Sequence, residues 1–381
     1  MEKLLFISSR LNPDNKNGAY LASKRNFDNL FSLNNLKVDK YIIFTNEKLY
    51  SKIFNIFLFN RMEEITLNIE KEIISNIKEK KYDIIFLDGS GFGYLAEKIK
   101  KYFPKIKIIV FCHDINYFLF SSILKECKKA EKNLGIIKSL VMHKRIRNSF
   151  INEKKAFKNA DLIITFNKRD TKLLLEKYNY ISSYEINMTF KVKKEKRSKK
   201  VFNEKNFNII FVGVAALLPN IRGLEFFINN VLDNIESNLY IIGKGMEKYK
   251  KEFEEKSRKV KVLGTVDSLD EYYMDADAVI SPIFSGGGMK IKTGEALSYW
   301  KTIFGTTEAF EGYEFDYDKV GGLCNTSEEF IEKINNYIKW WKENDRPKFN
   351  EYSKNIFKEK YSYESSIKKF QYIFEKLEKN N

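Results

Sequence analysis

Residues 278–313 read AVISPIFSGGGMKIKTGEALSYWKTIFGTTEAFEGY. A short apolar run, 278–281, meets Pro282 and then the triplet Gly286-Gly287-Gly288. A helical pattern follows from about Met289 to Trp300, and a second apolar run comes at 302–305. Strand, glycine turn, helix, strand is one unit of an α/β sheet. Three glycines before a helix let backbone N–H groups approach an anion, and the helix N-terminus adds a partial positive charge. Lys290 and Lys292 fall in the first turn, where cations oppose the helix dipole; binding phosphate would resolve that conflict. Glu295 follows five residues after Lys290 on a nearby face. A carboxylate beside a phosphate site suits the two hydroxyls of a ribose. The same letters also fit a glycine turn with solvated lysines.

Outward from this unit the pattern repeats. Apolar runs at 3–7, 40–45, 83–87, 106–111 and 162–166 form one series, and runs at 208–212, 238–242, 260–263, 278–281 and 302–305 a second. Runs apolar throughout suit strands buried on both faces of a parallel sheet. Between them lie helical patterns near 19–32, 67–79, 93–101, 169–178, 223–233, 246–256, 327–342 and 363–378. The alternation predicts an α/β chain of two doubly wound domains. It is interrupted at 189–206, a charged stretch nearly free of core residues. The predicted division is 1–190, a basic linker 191–206, a second domain 207–352, and a closing helix 353–381. A cleft between strand carboxyl ends is where such sheets bind ligands.

The length of 381 residues suits two domains. Lys and Arg number 67 against 51 Asp and Glu, a net charge of +16. The excess is local. Residues 121–160 carry 11 Lys/Arg and 3 Asp/Glu, and residues 191–200 carry 7 and one. Three cysteines, with no CxxC pair, exclude a disulfide framework and argue against a structural zinc site. No apolar stretch approaches the ~20 residues of a membrane-spanning helix, and the opening MEKLLFISSR does not read as a signal peptide. The expectation is a cytoplasmic protein.

SGGGMKIKTGEALSYWKTIFGT resembles the donor-site signature of the family-four retaining glycosyltransferases, which have the GT-B fold, and is most similar to enzymes of capsular and cell-surface polysaccharide synthesis. FVGVAALLPNIRGLEFFINNVL, LYIIGKG and VKVLGTVDSLDEYYMDADAVISP resemble the preceding units of the family's nucleotide-binding domain. EKKAFKNADLIITFNKRDTKLLLEKY resembles the end of its first domain, and KYSYESSIKKFQYIF the helix that crosses back to that domain. The resemblance covers nearly the whole chain, most closely 207–340. It implies a retaining, metal-independent transfer of sugar from a nucleotide-diphosphate sugar to a glycan or lipid-linked acceptor. No cofactor is implied beyond that co-substrate.

The resemblance also implies roles. Glu295 matches the second glutamate of the EX7E pattern, which contacts the nucleotide ribose. The first glutamate of the pattern would fall at Gly287, a departure that leaves amides of Gly286, Gly287 and Gly288 to face the donor. Lys290 matches the residue pairing with the diphosphate, and Lys292 is next. Arg222 loosely matches a second phosphate contact. Gly18, after the first strand, resembles the glycine loop that approaches the donor phosphates. His113, ending IKIIVFCH, matches a histidine that reaches the donor sugar and phosphate; a satisfied core histidine is the alternative. His143 reads as a surface residue. DGSGFG at 88–93 lacks the third-glycine spacing of a dinucleotide fingerprint and reads as a packed turn on the acceptor side. Glu308 and Glu311 follow the strand 302–305, where they orient a sugar hydroxyl or sit in a solvated loop.

Segment 121–160 places Leu124, Ile136, Ile137, Leu140, Val141, Ile146, Phe150 and Ile151 at near-helical spacing among basic residues. This fits peripheral attachment to an anionic membrane surface, or equally a core-facing helix with a solvated basic face. Nucleic acid is disfavoured, because no aromatic interleaves with these lysines before Phe150. The main alternative function is a non-catalytic GT-B subunit supporting a partner transferase. An epimerase or phosphorylase lacks the carboxylates or cofactor lysine it would need.

Overall fold

The computed structural model describes residues 1–12, 18–44, 65–129, 135–193, 200–203, 205–286 and 288–379. The chain divides into two compact units. One comprises Met1–Asn187 with Ser366–Asn381, the other Met188–Ser365. Each is built on a six-stranded parallel sheet, as the alternation predicts.

In the first unit the strands are β1 (Glu2–Ser8), β2 (Leu36–Ile42), β3 (Ile84–Leu87), β4 (Lys107–Cys112), β5 (Leu162–Thr165) and β6 (Tyr184–Glu185), in the order β2-β1-β3-β4-β5-β6. In the second they are β7 (Phe207–Val212), β8 (Ser237–Ile242), β9 (Val260–Gly264), β10 (Ala278–Ser281), β11 (Thr302–Gly305) and β12 (Gly321–Leu323), in the order β12-β11-β10-β7-β8-β9. The winding direction reverses between β7 and β10. Ligands of such sheets collect at that switch point, outside the carboxyl ends of the strands. The corresponding reversal in the first unit is between β1 and β3.

The strands read best from sequence are those buried along their whole length, β3, β7, β10 and β11. Burying each Ile or Phe there contributes about 1.5–3 kcal/mol. β2 lies earlier than the predicted 40–45. It is an edge strand with mostly half-exposed residues, so its sequence is not a continuous apolar run. β6 and β12, two and three residues long, leave no run to read. The helix after β7 begins at Leu218 rather than 223. Pro219 occupies its first turn, where the missing N–H costs no hydrogen bond.

The predicted linker is partly core. Phe202 is buried against Tyr240, and the Val201 and Phe202 amides both donate to Asp275 Oδ2 at 2.7 Å. Residues 194–199 and 204 lie outside the described residues. The return to the first unit comes after Ser365, later than residue 353, because Phe357 and Tyr361 are buried in the second core.

Trp300 closes the helix Ile291–Ser298 with a left-handed φ of 57°, a position glycine favours. That backbone costs about 1–2 kcal/mol. The indole offsets it by packing at 6% exposure against Phe349, with Lys354 and Lys358 over its face at 5.0 and 5.7 Å. Because truncating a buried Trp costs about 3–5 kcal/mol, Trp300→Gly is expected to lower stability by roughly 2–3 kcal/mol in urea unfolding. A variant as stable as the parent would contradict this account.

Candidate functional site

In the second unit three loops converge on the switch point. The first, after β7, leads into the helix Leu218–Asn230. The second, after β10, carries Gly286 and Gly288, at φ 144° and 68°, into the helix Ile291–Ser298. These φ values favour glycine, which explains the glycine-rich turn. Gly287 lies outside the described residues. Lys290 stands at the N-cap, one residue before the helix rather than within its first turn, and Lys292 is inside it.

The third loop follows β11 and is pinned to that helix. Thr293 Oγ1 donates to the Ala309 carbonyl at 2.8 Å, and Tyr313 Oη to the Lys290 carbonyl at 2.8 Å. Thr306 bonds back to the Ile283 carbonyl. The loop thereby sets Glu308 against Lys290. The Lys290 ammonium donates to Glu308 Oε1 at 2.5 Å and to the Gly288 carbonyl at 2.8 Å, with Glu311 Oε2 at 3.8 Å. Glu308 and Glu311 are therefore ion-pair partners of Lys290 rather than a solvated loop.

Lys292 turns the other way. Its Nζ donates to Asn220 Oδ1 at 2.6 Å and lies 4.3 Å from the centre of the Phe211 ring. Burial, with help from the charge of Lys290, pulls its pKa down to about 7. Asn220 is itself fixed, because its Nδ2 donates to the Val214 carbonyl at 2.8 Å. The resemblance points to Arg222 for a phosphate contact here. Arg222 lies on the exposed side of the same helix and has no hydrogen bond or ion pair to the site among the described residues. Proline at the helix start was the available signal for Asn220.

The Glu295 carboxylate has no hydrogen bond or ion pair among the described residues. Burial raises the pKa of its carboxyl, partly offset by the charges of Lys193 and Lys292. One residue before it, a Cβ at Gly294 would fall 2.0 Å from the Phe190 ring, so no larger residue fits under that ring. The site thus holds a turn of backbone amides, two lysines and an unpartnered carboxylate. Together they can bind an anion and accept hydrogen bonds from neighbouring hydroxyls.

The first unit has its own buried polar centre. His113 follows β4, and its Nε2 lies 2.6 Å from Asp88 Oδ1. Ser8 Oγ donates to Asp88 Oδ2 at 2.7 Å, and Asn26 Nδ2 to Oδ1 at 3.3 Å. Asn26 belongs to the helix Gly18–Phe31, which Gly18 opens; residues 13–17 lie outside the described residues. Burial would raise the pKa of Asp88, but His113 outweighs it and holds the carboxylate ionised. Burial lowers the pKa of His113, against the pull of Asp88. A neutral ring donating from Nε2 to Asp88 leaves the lone pair on Nδ1. That atom is buried with no partner among the described residues.

DGSGFG is a packed turn, and its Asp88 is the partner of His113. Its Ser90 leads to Glu153, which no motif marks. Glu153 accepts from Ser90 Oγ, Tyr178 Oη and the amides of Asn116 and Tyr117 at 2.5–3.2 Å. Burial raises its pKa to about 7 against those four donors.

The basic segment 121–160 forms the helices Asn116–Lys129 and Gly135–Asn159; residues 130–134, and the side chains of Ile136 and Ile137, lie outside the description. It is not a single apolar stripe. Leu124 is buried and Leu140 is 58% exposed, while the buried face of the second helix includes Asn148, Ser149, Asn152 and Glu153. Its far half is therefore core of the first unit. His143 is exposed, as predicted. Among the described residues no helix is long and apolar enough to cross a membrane, and no cluster of His, Cys, Asp or Glu could hold a metal ion.

Residues 206–339 match the family model for glycosyl transferases group 1. No curated protein matches the chain in sequence. Among solved structures, a glycosyltransferase from Rickettsia africae aligns with a TM-score of 0.66 at 13% identity, over 100% of this chain and 99% of its own. Sucrose-phosphate synthase from Thermosynechococcus elongatus gives 0.65 at 12%, over the whole of both chains. HepE of Anabaena, solved with UDP and glucose, gives 0.61 at 12%, over 99% of this chain and 100% of its own. At these identities the likeness is one of fold.

Proposed function

We propose that this chain, which has the GT-B fold and whose residues 206–339 match the group 1 glycosyl transferase model, moves a sugar from a nucleotide-diphosphate sugar to a glycan or lipid-linked acceptor, with retention, in surface polysaccharide synthesis. The observation that carries this reading is the half-buried carboxylate of Glu295, unpaired among the described residues and beside Lys292, at the β7/β10 switch point. A ribose offers the carboxylate two donors, and a diphosphate offers the lysines and the glycine-turn amides an anion.

In the proposed reaction the bond from C1 of the sugar to the diphosphate oxygen breaks as a bond from the acceptor hydroxyl forms on the same face. The acceptor proton passes to the departing phosphate oxygen. Lys290, Lys292 and the amides of the glycine turn carry the charge that develops there, with no metal ion required. Positioning and charge stabilisation supply the acceleration. UDP bound to HepE supports a uridine donor as the first to test. A thermal-shift panel of UDP- and GDP-sugars is expected to give a rise in Tm with one of them. A flat response to all would reject the reading.

Lys138 and Arg147, exposed on the helix Gly135–Asn159, support peripheral attachment to an anionic membrane from the cytoplasmic side. Vesicles of phosphatidylglycerol and phosphatidylethanolamine are expected to float the protein at low salt and release it at high salt; protein left in the pellet at low salt refutes attachment.

A further inference from the structure

We infer that Glu308 binds a hydroxyl of the donor sugar and thereby selects which sugar is transferred. The inference rests on the nucleotide-sugar reading and extends it to a residue outside the glycine turn and its helix.

The loop after β11 is built to place this one side chain. Thr306 ties its start to Ile283, and the Ala309 amide donates to Thr306 Oγ1 at 3.1 Å. Thr293 and Tyr313 tie its middle and end to the helix of the site. Between these ties Glu308 reaches Lys290, and its side chain keeps 22% exposure. The carboxylate also lies beside the glycine turn, 3.5 Å from where a Cβ on Gly286 would be. An ordinary solvated surface pair would have neither the pinned backbone nor this placement.

The geometry then limits what Glu308 can meet. Two oxygens accepting from one ammonium stand about 4.5–5 Å apart, since each lies about 2.8 Å from the nitrogen at tetrahedral angles. If a phosphate oxygen occupies one donor of Lys290 while Glu308 keeps another, the carboxylate stands one short step from the phosphate. Like charge keeps it off the phosphate itself. The group within that step is the sugar attached to the phosphate, whose hydroxyls are neutral donors. Lys290 shields the carboxylate from the diphosphate and holds it in place for those hydroxyls.

Glu308→Gln, with Glu308→Ala as a second variant, separates this role from that of a mere counter-ion. Affinities are read by calorimetry for UDP and UDP-glucose, or for GDP and GDP-mannose, whichever pair the wild-type protein binds. The expected result is that UDP binds as well or more tightly, since Lys290 loses a competing carboxylate. The sugar nucleotide should weaken about 10-fold or more relative to UDP, the loss of a hydrogen bond to a charged acceptor. Retained UDP affinity also shows that the variant is folded. If both ligands tighten or weaken by the same factor, Glu308 does not touch the sugar and the inference fails while the nucleotide-sugar reading stands. If the wild-type protein binds none of the four ligands, the reading fails and takes the inference with it.

Discussion

Glu295→Ala is expected to weaken nucleoside diphosphate binding about 100-fold while leaving the unliganded protein as stable as before or more so. The two halves of this result have one cause. Burial raises the pKa of the Glu295 carboxyl, and no hydrogen bond among the described residues rewards the ionised form. A group whose folded pKa is raised contributes less stability as pH climbs through that pKa. The ionised carboxylate is therefore a cost at pH 8, and removing it lifts Tm there more than at pH 5. A ribose supplies the missing donors, each bond to a charged acceptor contributing about 1.5–3 kcal/mol before the loss of water is counted. Calorimetry with UDP and with 2′,3′-dideoxy-UDP provides the check. Wild type should prefer UDP, and the alanine variant should not distinguish them. Full turnover in the variant, or a fall in Tm that parallels the lost binding, would remove Glu295 from the site.

This pairing of cost and use explains which parts of the site could be read in advance. Strands such as β7 and β10 announce themselves because burial on both faces forces continuous apolar runs. The glycine turn and Lys290, Lys292 and Glu295 are legible because their chemistry is local, all of it within the stretch from Gly286 to Glu295 that follows one strand. What could not be read is pairing across loops. Lys290 meets Glu308 eighteen residues on, Lys292 meets Asn220 seventy-two residues back, and His113 meets Asp88 on a neighbouring strand end. No spacing rule connects such residues, since the sheet order brings them together. Arg222 and Asn220 differ for a local reason: with the helix starting at Leu218, Arg222 is exposed and Asn220 is the residue on this helix that meets Lys292. The basic segment follows the core-facing one of its two readings in its far half, where Ala156 and Phe157 are buried together with Asn148, Ser149, Asn152 and Glu153. The polar members of that face are what apolar spacing alone does not show.

Lys292 gives the second large effect, and it is one of pH. In the unliganded protein its pKa is about 7, lowered by burial and by Lys290. A diphosphate needs the ammonium form. Binding therefore takes up a proton whenever the pH is above that value, and affinity falls as pH rises. For UDP-glucose, whose diphosphate does not titrate between about pH 6 and 8.5, Kd is expected to be flat below about pH 6.5 and to rise towards tenfold per pH unit above about 7.5. Glu295 acts in the opposite sense, because its carboxylate forms as pH rises, so the loss of affinity belongs to the lysine. Lys292→Met keeps the length of the side chain and removes its charge. It should bind about 100-fold more weakly at pH 6 and lose the alkaline dependence, with kcat/KM falling further still, as the charge on the leaving diphosphate grows towards the transition state. Calorimetry in two buffers of different ionisation enthalpy measures the proton directly. Uptake approaching one proton at pH 8 in the wild type and none in Lys292→Met is the expected pattern. A Kd that does not change between pH 6 and 8.5 would show that Lys292 is already charged in the empty site, held to Asn220 as an ammonium, and that its approach to the ring of Phe211 is a cation–π contact rather than a desolvated amine waiting for its anion.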